Sequence, residues 1–134
     1  MIGVVLVSHG ALAHELLRAA EHVVGPMTGA EAIAIGPDDD PTVRRQDIMT
    51  AVKRADSGGG VIVLTDMFGG TPSNLAISIM QNAHIEVIAG FNLPMLVNIA
   101  QSRERNDLKA CAASAEAAGR KYIRTASAVL GDKA

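Results

Sequence analysis

Tryptophan is absent, and the aromatic residues come to two phenylalanines and one tyrosine: Phe68, Phe91 and Tyr122. Platforms for stacking bases are therefore scarce, and a core must be built from Val, Ile, Leu, Ala and Met. A surplus of positive charge is missing too, since 12 Lys and Arg stand against 14 Asp and Glu for a net charge of −2. Nucleic acid is thus a poor candidate partner, because its binders draw affinity from clustered cations. The single cysteine, Cys111, cannot close an internal disulfide. The first residues also lack the basic region and cleavage site of a signal peptide, so a reducing, cytoplasmic setting is expected. No apolar run approaches the roughly 18–20 residues that cross a bilayer, so no membrane insertion is expected. Internal repeats and low-complexity linkers are absent, and Asp38-Asp39-Asp40 is the nearest thing to a charge run. With 134 residues, the chain is expected to form one domain over 1–134 around a continuous core.

What the sequence does contain is an alternation of two patterns. Residues 2–7 (IGVVLV), 61–64 (VIVL) and 85–89 (IEVIA) are short, mostly apolar runs, and 31–35 (EAIAI) is a weaker fourth. Continuous apolarity predicts strands covered on both faces. Between them, Leu12, Leu16, Ala20 and Val23 recur at helical spacing and predict an inward stripe closed by Gly25-Pro26. Val43, Ile48 and Val52 predict a second helix over 41–55, ended by Ser57-Gly58-Gly59-Gly60. Thr71-Pro72 opens a third, with Thr71 as N-cap, Pro72 at the first helical position, and Leu75, Ile79 and Met80 inward. One more helix lies near 94–101, and another runs from about Asp107 to Ala118 and ends at Gly119. Residues 121–126 (KYIRTA) alternate weakly, as an edge strand would.

This order predicts an open three-layer α/β/α fold with a mainly parallel sheet and right-handed crossovers. Ligands of such sheets bind outside the carboxyl ends of the strands, where the strand order reverses. In a 2-1-3-4 order that point lies between strands one and three. Strand one ends at Ser8-His9-Gly10, and strand three ends at Thr65-Asp66, followed by Met67-Phe68-Gly69-Gly70-Thr71. A carboxylate that accepts the Nδ1 proton fixes the imidazole tautomer, turns the Nε2 lone pair outward and supports positive charge on the ring. Held in that way, His9 is a nucleophile, a general base or a metal ligand. Gly69 and Gly70 let the backbone approach closely. Gly10 and Thr71 stand near helix starts, where free amides and a hydroxyl favour an anion such as phosphate.

Each of these residues also has a plain structural reading: His9 as a hydrogen-bonded turn residue, Asp66 as a turn cap, Gly69-Gly70 as relief for a tight loop. It is the meeting of His9 with Asp66 at one crevice that favours a site. Elsewhere the structural reading prevails. His14 and His22 share a polar helix face with Arg18, and His84 begins strand four at the opposite edge. Asp38 to Asp40 lead into a helix cap. Met49, Met67, Met80 and Met95 fill core or rim, and Cys111 sits among alanines as a small buried residue.

Three segments, LVSHG at 6–10, DMFGGTPSN at 66–74 and VIAGFNLPML at 87–96, together resemble the enzyme IIA domain of the mannose family of the bacterial phosphoenolpyruvate-dependent sugar phosphotransferase system. The resemblance spans essentially the whole chain in the family's order. It implies that His9 accepts a phosphoryl group from the phosphohistidine of the carrier protein HPr and passes it to an enzyme IIB. Asp66 matches the carboxylate that hydrogen-bonds that histidine, and Thr71 matches a hydroxyl position beside the phosphate, next to Gly69 and Gly70. The implied fold is a 2-1-3-4 parallel sheet, with a last antiparallel strand, here residues 121–126, exchanged between the subunits of a homodimer. No cofactor and no protein-bound metal are implied. Because the chain ends without a hinge and a IIB domain, the acceptor is expected on a separate chain.

Three rival classes remain open. A response-regulator receiver places a phosphoacceptor aspartate where Asp66 stands, but needs acidic residues after strand one, where Ser8-His9 is found. A small tetrapyrrole chelatase uses a histidine after strand one as a metal ligand and needs a second His or Glu at the same edge. A noncatalytic binding module would tolerate loss of His9. Within the resembled family, donation to a dihydroxyacetone kinase, or a regulator that senses phosphorylation, is the alternative to sugar uptake.

Overall fold

The computed structural model describes residues 1–82 and 84–131. Four parallel strands, β1 (Gly3–His9), β2 (Ala30–Ile35), β3 (Val61–Thr65) and β4 (Ile85–Ala89), form one sheet of order β2-β1-β3-β4. Helices α1 (Leu12–Val24), α2 (Pro41–Ala55), α3 (Thr71–Ser78), α4 (Leu93–Ser102) and α5 (Leu108–Lys121) connect and flank the strands, and α6 (Ala126–Leu130) follows. A short 3-10 turn at Met80–Asn82 precedes β4. The three-layer α/β/α arrangement and the strand order are those the sequence pattern predicts.

Alternation along the central strands explains the two-sided core. Val4, Leu6, Ile62 and Leu64 face α1, α4 and α5, in a cluster with Ala13, Ala20, Met95, Leu96 and Ile99. Val5, Val7, Val61 and Val63 face the other way, onto Ile48, Ala51 and Val52 of α2 and Ala76 of α3. Burial of each such aliphatic side chain contributes about 1.5–3 kcal/mol. Since all four strands run in parallel, their carboxyl ends share one edge, and the loops after β1 and β3 are neighbours there.

Four local expectations need correction. The inward face of α1 is Ala13, Leu16, Leu17 and Ala20, while Leu12 and Val23 are exposed. Small alanines let α1 lie close to the sheet, and this turns the larger Leu12 outward beside the β1 corner. Val43 is likewise exposed, and Ile48, Ala51 and Val52 carry the α2 contact. Gly70, in extended conformation, is the N-cap of α3, so Thr71 is already helical. Gly119 does not end α5; the helix continues to Lys121. A Cβ on Gly119 would come within 2.9 Å of Met95 Cε, so this glycine serves the close approach of α5 to α4.

Residues 121–126 form no strand within this chain. Lys121 ends α5, residues 123–125 are irregular, and Ala126 begins α6. A strand needs a ladder partner for its N–H and C=O groups, and among the described residues this segment has no such partner. Tyr122 and Ile123 are exposed, as are Val129 and Leu130. The outer edge of β4 is also unpaired among the described residues.

Candidate functional site

β1 is buried along its length until His9, which emerges at the carboxyl edge with a half-exposed side chain. The corner is held by Ser8, itself fully buried. Its hydroxyl donates to the Gly10 carbonyl (3.0 Å) and accepts the Ala13 N–H (2.7 Å). That second bond satisfies one of the free amides of the first turn of α1.

Asp66, one residue beyond β3, meets His9 twice through a single oxygen. Its Oδ2 lies 2.7 Å from His9 Nδ1 and accepts the His9 main-chain N–H at 3.0 Å. Its Oδ1 accepts the Met67 N–H at 3.0 Å. Partial burial pushes the Asp66 carboxyl up, but the bonds from the His9 N–H and ring, with the ring's charge, more than offset this and hold it below the usual carboxylate value. An ionised Asp66 is an acceptor only, so the Nδ1 that faces it carries the proton, and in the neutral ring Nε2 is left with its lone pair.

Gly70 packs against that free edge of the ring. A Cβ there would lie 2.7 Å from His9 Cε1 and 2.9 Å from Nε2, so the bare glycine keeps the space next to Nε2 open. Gly69 turns the chain into this position with a φ of +89° that favours glycine. Ser73 fixes the turn: its buried hydroxyl accepts the Gly69 N–H and donates to the Gly70 carbonyl, both at 3.1 Å. Among the described residues, the Gly70 and Thr71 N–H groups have no main-chain acceptor. Thr71 is exposed at the start of α3. Gly10, by contrast, donates its N–H to the Ile35 carbonyl at 2.9 Å, and the Gly69 N–H is taken by Ser73. Of the glycines expected to favour a phosphate, only Gly70 keeps a free donor.

The structure thus joins His9, Asp66 and Gly70, with Thr71 adjacent. Sequence reasoning missed Ser8 and Ser73; their one signal was position, immediately before His9 and three residues after Gly70. The other candidates lie apart. His14 and His22 are exposed on α1, and His84 is at the amino edge. Asp40 caps α2 through the Thr42 N–H, while Asp39 accepts the Gly36 N–H and pairs with Arg44. Cys111 is buried 3.4 Å from Ser102 Oγ. Among the described residues, no group of three or more His, Cys, Asp or Glu is placed to hold a metal ion.

Around His9 several large apolar side chains are exposed, and the adjoining loops carry no cation. Leu12, Met67 and Phe68 are each more than half exposed, an unusual state for large apolar side chains beside a polar pair. The loops 8–11, 36–40, 65–72 and 90–94 contain no Lys or Arg. A cavity of about 610 Å³ lies between α4 and α5, lined in part by Val23 and Tyr122, and His9 stands outside it on open surface. An open histidine in an apolar collar suits approach by another macromolecule better than enclosure of a small substrate.

Comparison with known proteins agrees with this fold. The family described as "PTS system fructose IIA component" matches residues 3–116. Over 104 residues the chain is 34% identical to the PTS system mannose-specific EIIAB component of Escherichia coli, covering 77% of this chain and 32% of that protein. The chain therefore spans about a third of that relative's length. It is 29% identical over 110 residues to the PTS system fructose-specific EIIA component of Bacillus subtilis, covering 81% and 75% of the two chains. Among solved structures, the mannose/sorbose specific IIA subunit of the phosphotransferase system from Enterococcus faecalis superposes with a TM-score of 0.83 at 28% identity, over 92% of this chain and 93% of that one. With the 2-1-3-4 sheet and these matches in hand, the chain belongs to the fructose/mannose enzyme IIA family of the phosphotransferase system.

Proposed function

We propose that this chain is a phosphoryl carrier in which His9 Nε2 accepts a phosphoryl group from the phosphohistidine of HPr and hands it to an enzyme IIB on a separate chain, in service of sugar uptake. The observation that carries this reading is the 2.7 Å contact between His9 Nδ1 and Asp66 Oδ2. In the forward step the Nε2 lone pair forms a new P–N bond while the donor's P–N bond breaks, and the donor nitrogen keeps the electron pair. Positive charge then grows on the His9 ring, and Asp66, still bonded at Nδ1, stabilises it. The Gly70 and Thr71 amides and the Thr71 hydroxyl would hold the phosphate oxygens with neutral donors. Without a cation to trap the phosphoryl group, the same site can release it to the next histidine or cysteine. Catalysis then rests on in-line positioning, and the collar of Leu12, Met67 and Phe68 would dock donor and acceptor proteins in turn.

The same family reading makes the carrier a homodimer. Residues 121–126 of one copy would add as an antiparallel strand to the open β4 edge of the other, which would cover Tyr122 and Ile123. Mass measurement by light scattering tests it.

The deciding experiment is incubation with phosphoenolpyruvate, enzyme I and HPr, followed by mapping of the phosphorylated residue. The expected product is acid-labile, alkali-stable phosphohistidine at His9, absent in His9→Ala. Phosphate uptake by His9→Ala, or an acylphosphate on Asp66, would overturn the assignment. Transfer to dihydroxyacetone kinase instead of a IIB protein would keep the chemistry and change the recipient.

A further inference from the structure

At the amino end of the sheet, Arg103 is buried with 5% of its surface exposed. Its Nε donates to the Ile2 carbonyl at 2.9 Å, and the Ile2 N–H returns a bond to the Arg103 carbonyl at 3.2 Å. This pair ties the start of β1 to the end of α4, yet it uses only one of the five N–H donors of the guanidinium. Nη2 is buried with no hydrogen-bond partner, and no ion pair among the described residues includes Arg103. A buried charge without a counter-ion is strongly unfavourable. Burial accordingly pushes the guanidinium pKa down, with Cys111 and Glu104 acting in the other direction.

Beside this group lies a cavity of about 530 Å³, whose lining includes Arg103, Met1, Val24, Met27, Ala100 and Glu104. Its volume is that of a small-ligand site. A Cβ on Gly29 would fall 3.2 Å from Nη2 and 3.7 Å from Met1 Cε. Gly29, which has no side chain, therefore lies against Nη2, and the exposed Met1 side chain flanks the same glycine. Arg103 itself lines the cavity, so the cation with an unpartnered Nη2 borders it.

We propose that this cavity binds a small organic monocarboxylate, its carboxylate paired with Arg103 and its apolar body laid on Val24, Met27 and Ala100. The guanidinium fork matches a carboxylate in two parallel bonds. Glu104, which lines the same cavity, would repel a second negative charge, and this disfavours a dianion such as phosphate. The apolar wall rewards a hydrocarbon body that acetate lacks. The site is at the opposite end of the sheet from His9 and does not depend on the phosphoryl-carrier reading.

Calorimetric titration of the full chain with hexanoate, acetate, inorganic phosphate and hexylamine tests it, together with the NMR signal of the Arg103 side chain. Hexanoate should bind saturably, at least tenfold tighter than acetate, and shift the Arg103 signal; phosphate and hexylamine should not bind there. Ala100→Phe, which fills the cavity and keeps the cation, should weaken hexanoate at least tenfold, and Arg103→Lys should do the same. Should Arg103→Lys fail to fold, Ala100→Phe decides alone. Absence of saturable hexanoate binding, a preference for phosphate, or unchanged affinity in Ala100→Phe overturns the proposal.

Discussion

At the carboxyl end of the sheet, His9 is 53% exposed and its Nδ1 meets Asp66 at 2.7 Å, while at the amino end Arg103 is 5% exposed and its Nη2 meets no acceptor. The exposed group could have taken its hydrogen bonds from water, yet the fold supplies them. A buried one cannot, yet its Nη2 goes without. Ordering an exposed imidazole has a conformational cost and little value for folding, so its careful placement points to chemistry. Leaving a buried guanidinium short of partners has a larger cost, so it points to a missing partner.

Substitutions at the carboxyl end sharpen this contrast, because they should affect transfer far more than folding. Among substitutions that keep His9, Gly70→Ala should have the largest effect. The Gly70 backbone is in an ordinary extended conformation that alanine adopts without strain, but the new Cβ would meet the ring at 2.7 Å. Since His9 is half exposed, the ring can swing into solvent and leave Asp66. Thermal unfolding should then be nearly unchanged, while misplacement of the nucleophile by about 1 Å lowers the rate of phosphoryl uptake by about 100-fold. Equal loss of stability and transfer would mean that Gly70 serves folding alone.

Asp66→Asn should come next, with transfer reduced by about 10- to 100-fold, the range typical of a partner that orients an imidazole. The amide keeps the shape but not the charge that supports the ring. If ring charge is the important effect, the loss should appear in the rate of transfer with little change in the concentration of HPr needed for half-saturation. Ser73→Ala should act more weakly on transfer and more on stability. It strands the Gly69 N–H, at a cost of about 1–3 kcal/mol if water cannot replace the hydroxyl, while the Gly70 carbonyl keeps the Asn74 N–H at 3.0 Å. Hydrogen exchange at Gly69 should accelerate, and loss of transfer without that acceleration would break the assigned positioning role.

His9 and Asp66 were legible in the sequence because each follows an unbroken apolar run, and the end of such a run fixes where the chain leaves the sheet. Gly70 was legible as a close approach, though what it approaches required the ring's position. Ser8 and Ser73 were not, since a serine at a strand end or in the first turn of a helix carries no signal until its partners are known. The face of α1 was misjudged because Leu12 outweighs Ala13 in any apolar pattern, whereas packing close to a sheet favours the alanine. Residues 121–126 read as a strand by alternation, but a strand requires a neighbour, and none among the described residues pairs with them. Arg103 was overlooked for a related reason. Its neighbours in the fold, Ile2 and Gly29, are some 70 to 100 residues away in the chain, and nothing nearby in the sequence announces that it is buried.

The smallest expected effect is on acid stability, and it follows from the sign of the Asp66 shift. Its carboxyl is held below the ordinary value in the folded chain, so the folded state binds this proton less readily than the unfolded state. Stability from this group is present at neutral pH and down to about 4, the ordinary range for an aspartate, and is lost as the pH falls further through the lowered folded value. Asp66→Asn has no proton to take up there. The difference in unfolding midpoint between the native chain and Asp66→Asn should therefore shrink as the pH falls below about 4. A difference that stays constant through that acid range would show that the carboxyl is not held down by His9, and would remove the electrostatic half of the contrast between the two ends of the sheet.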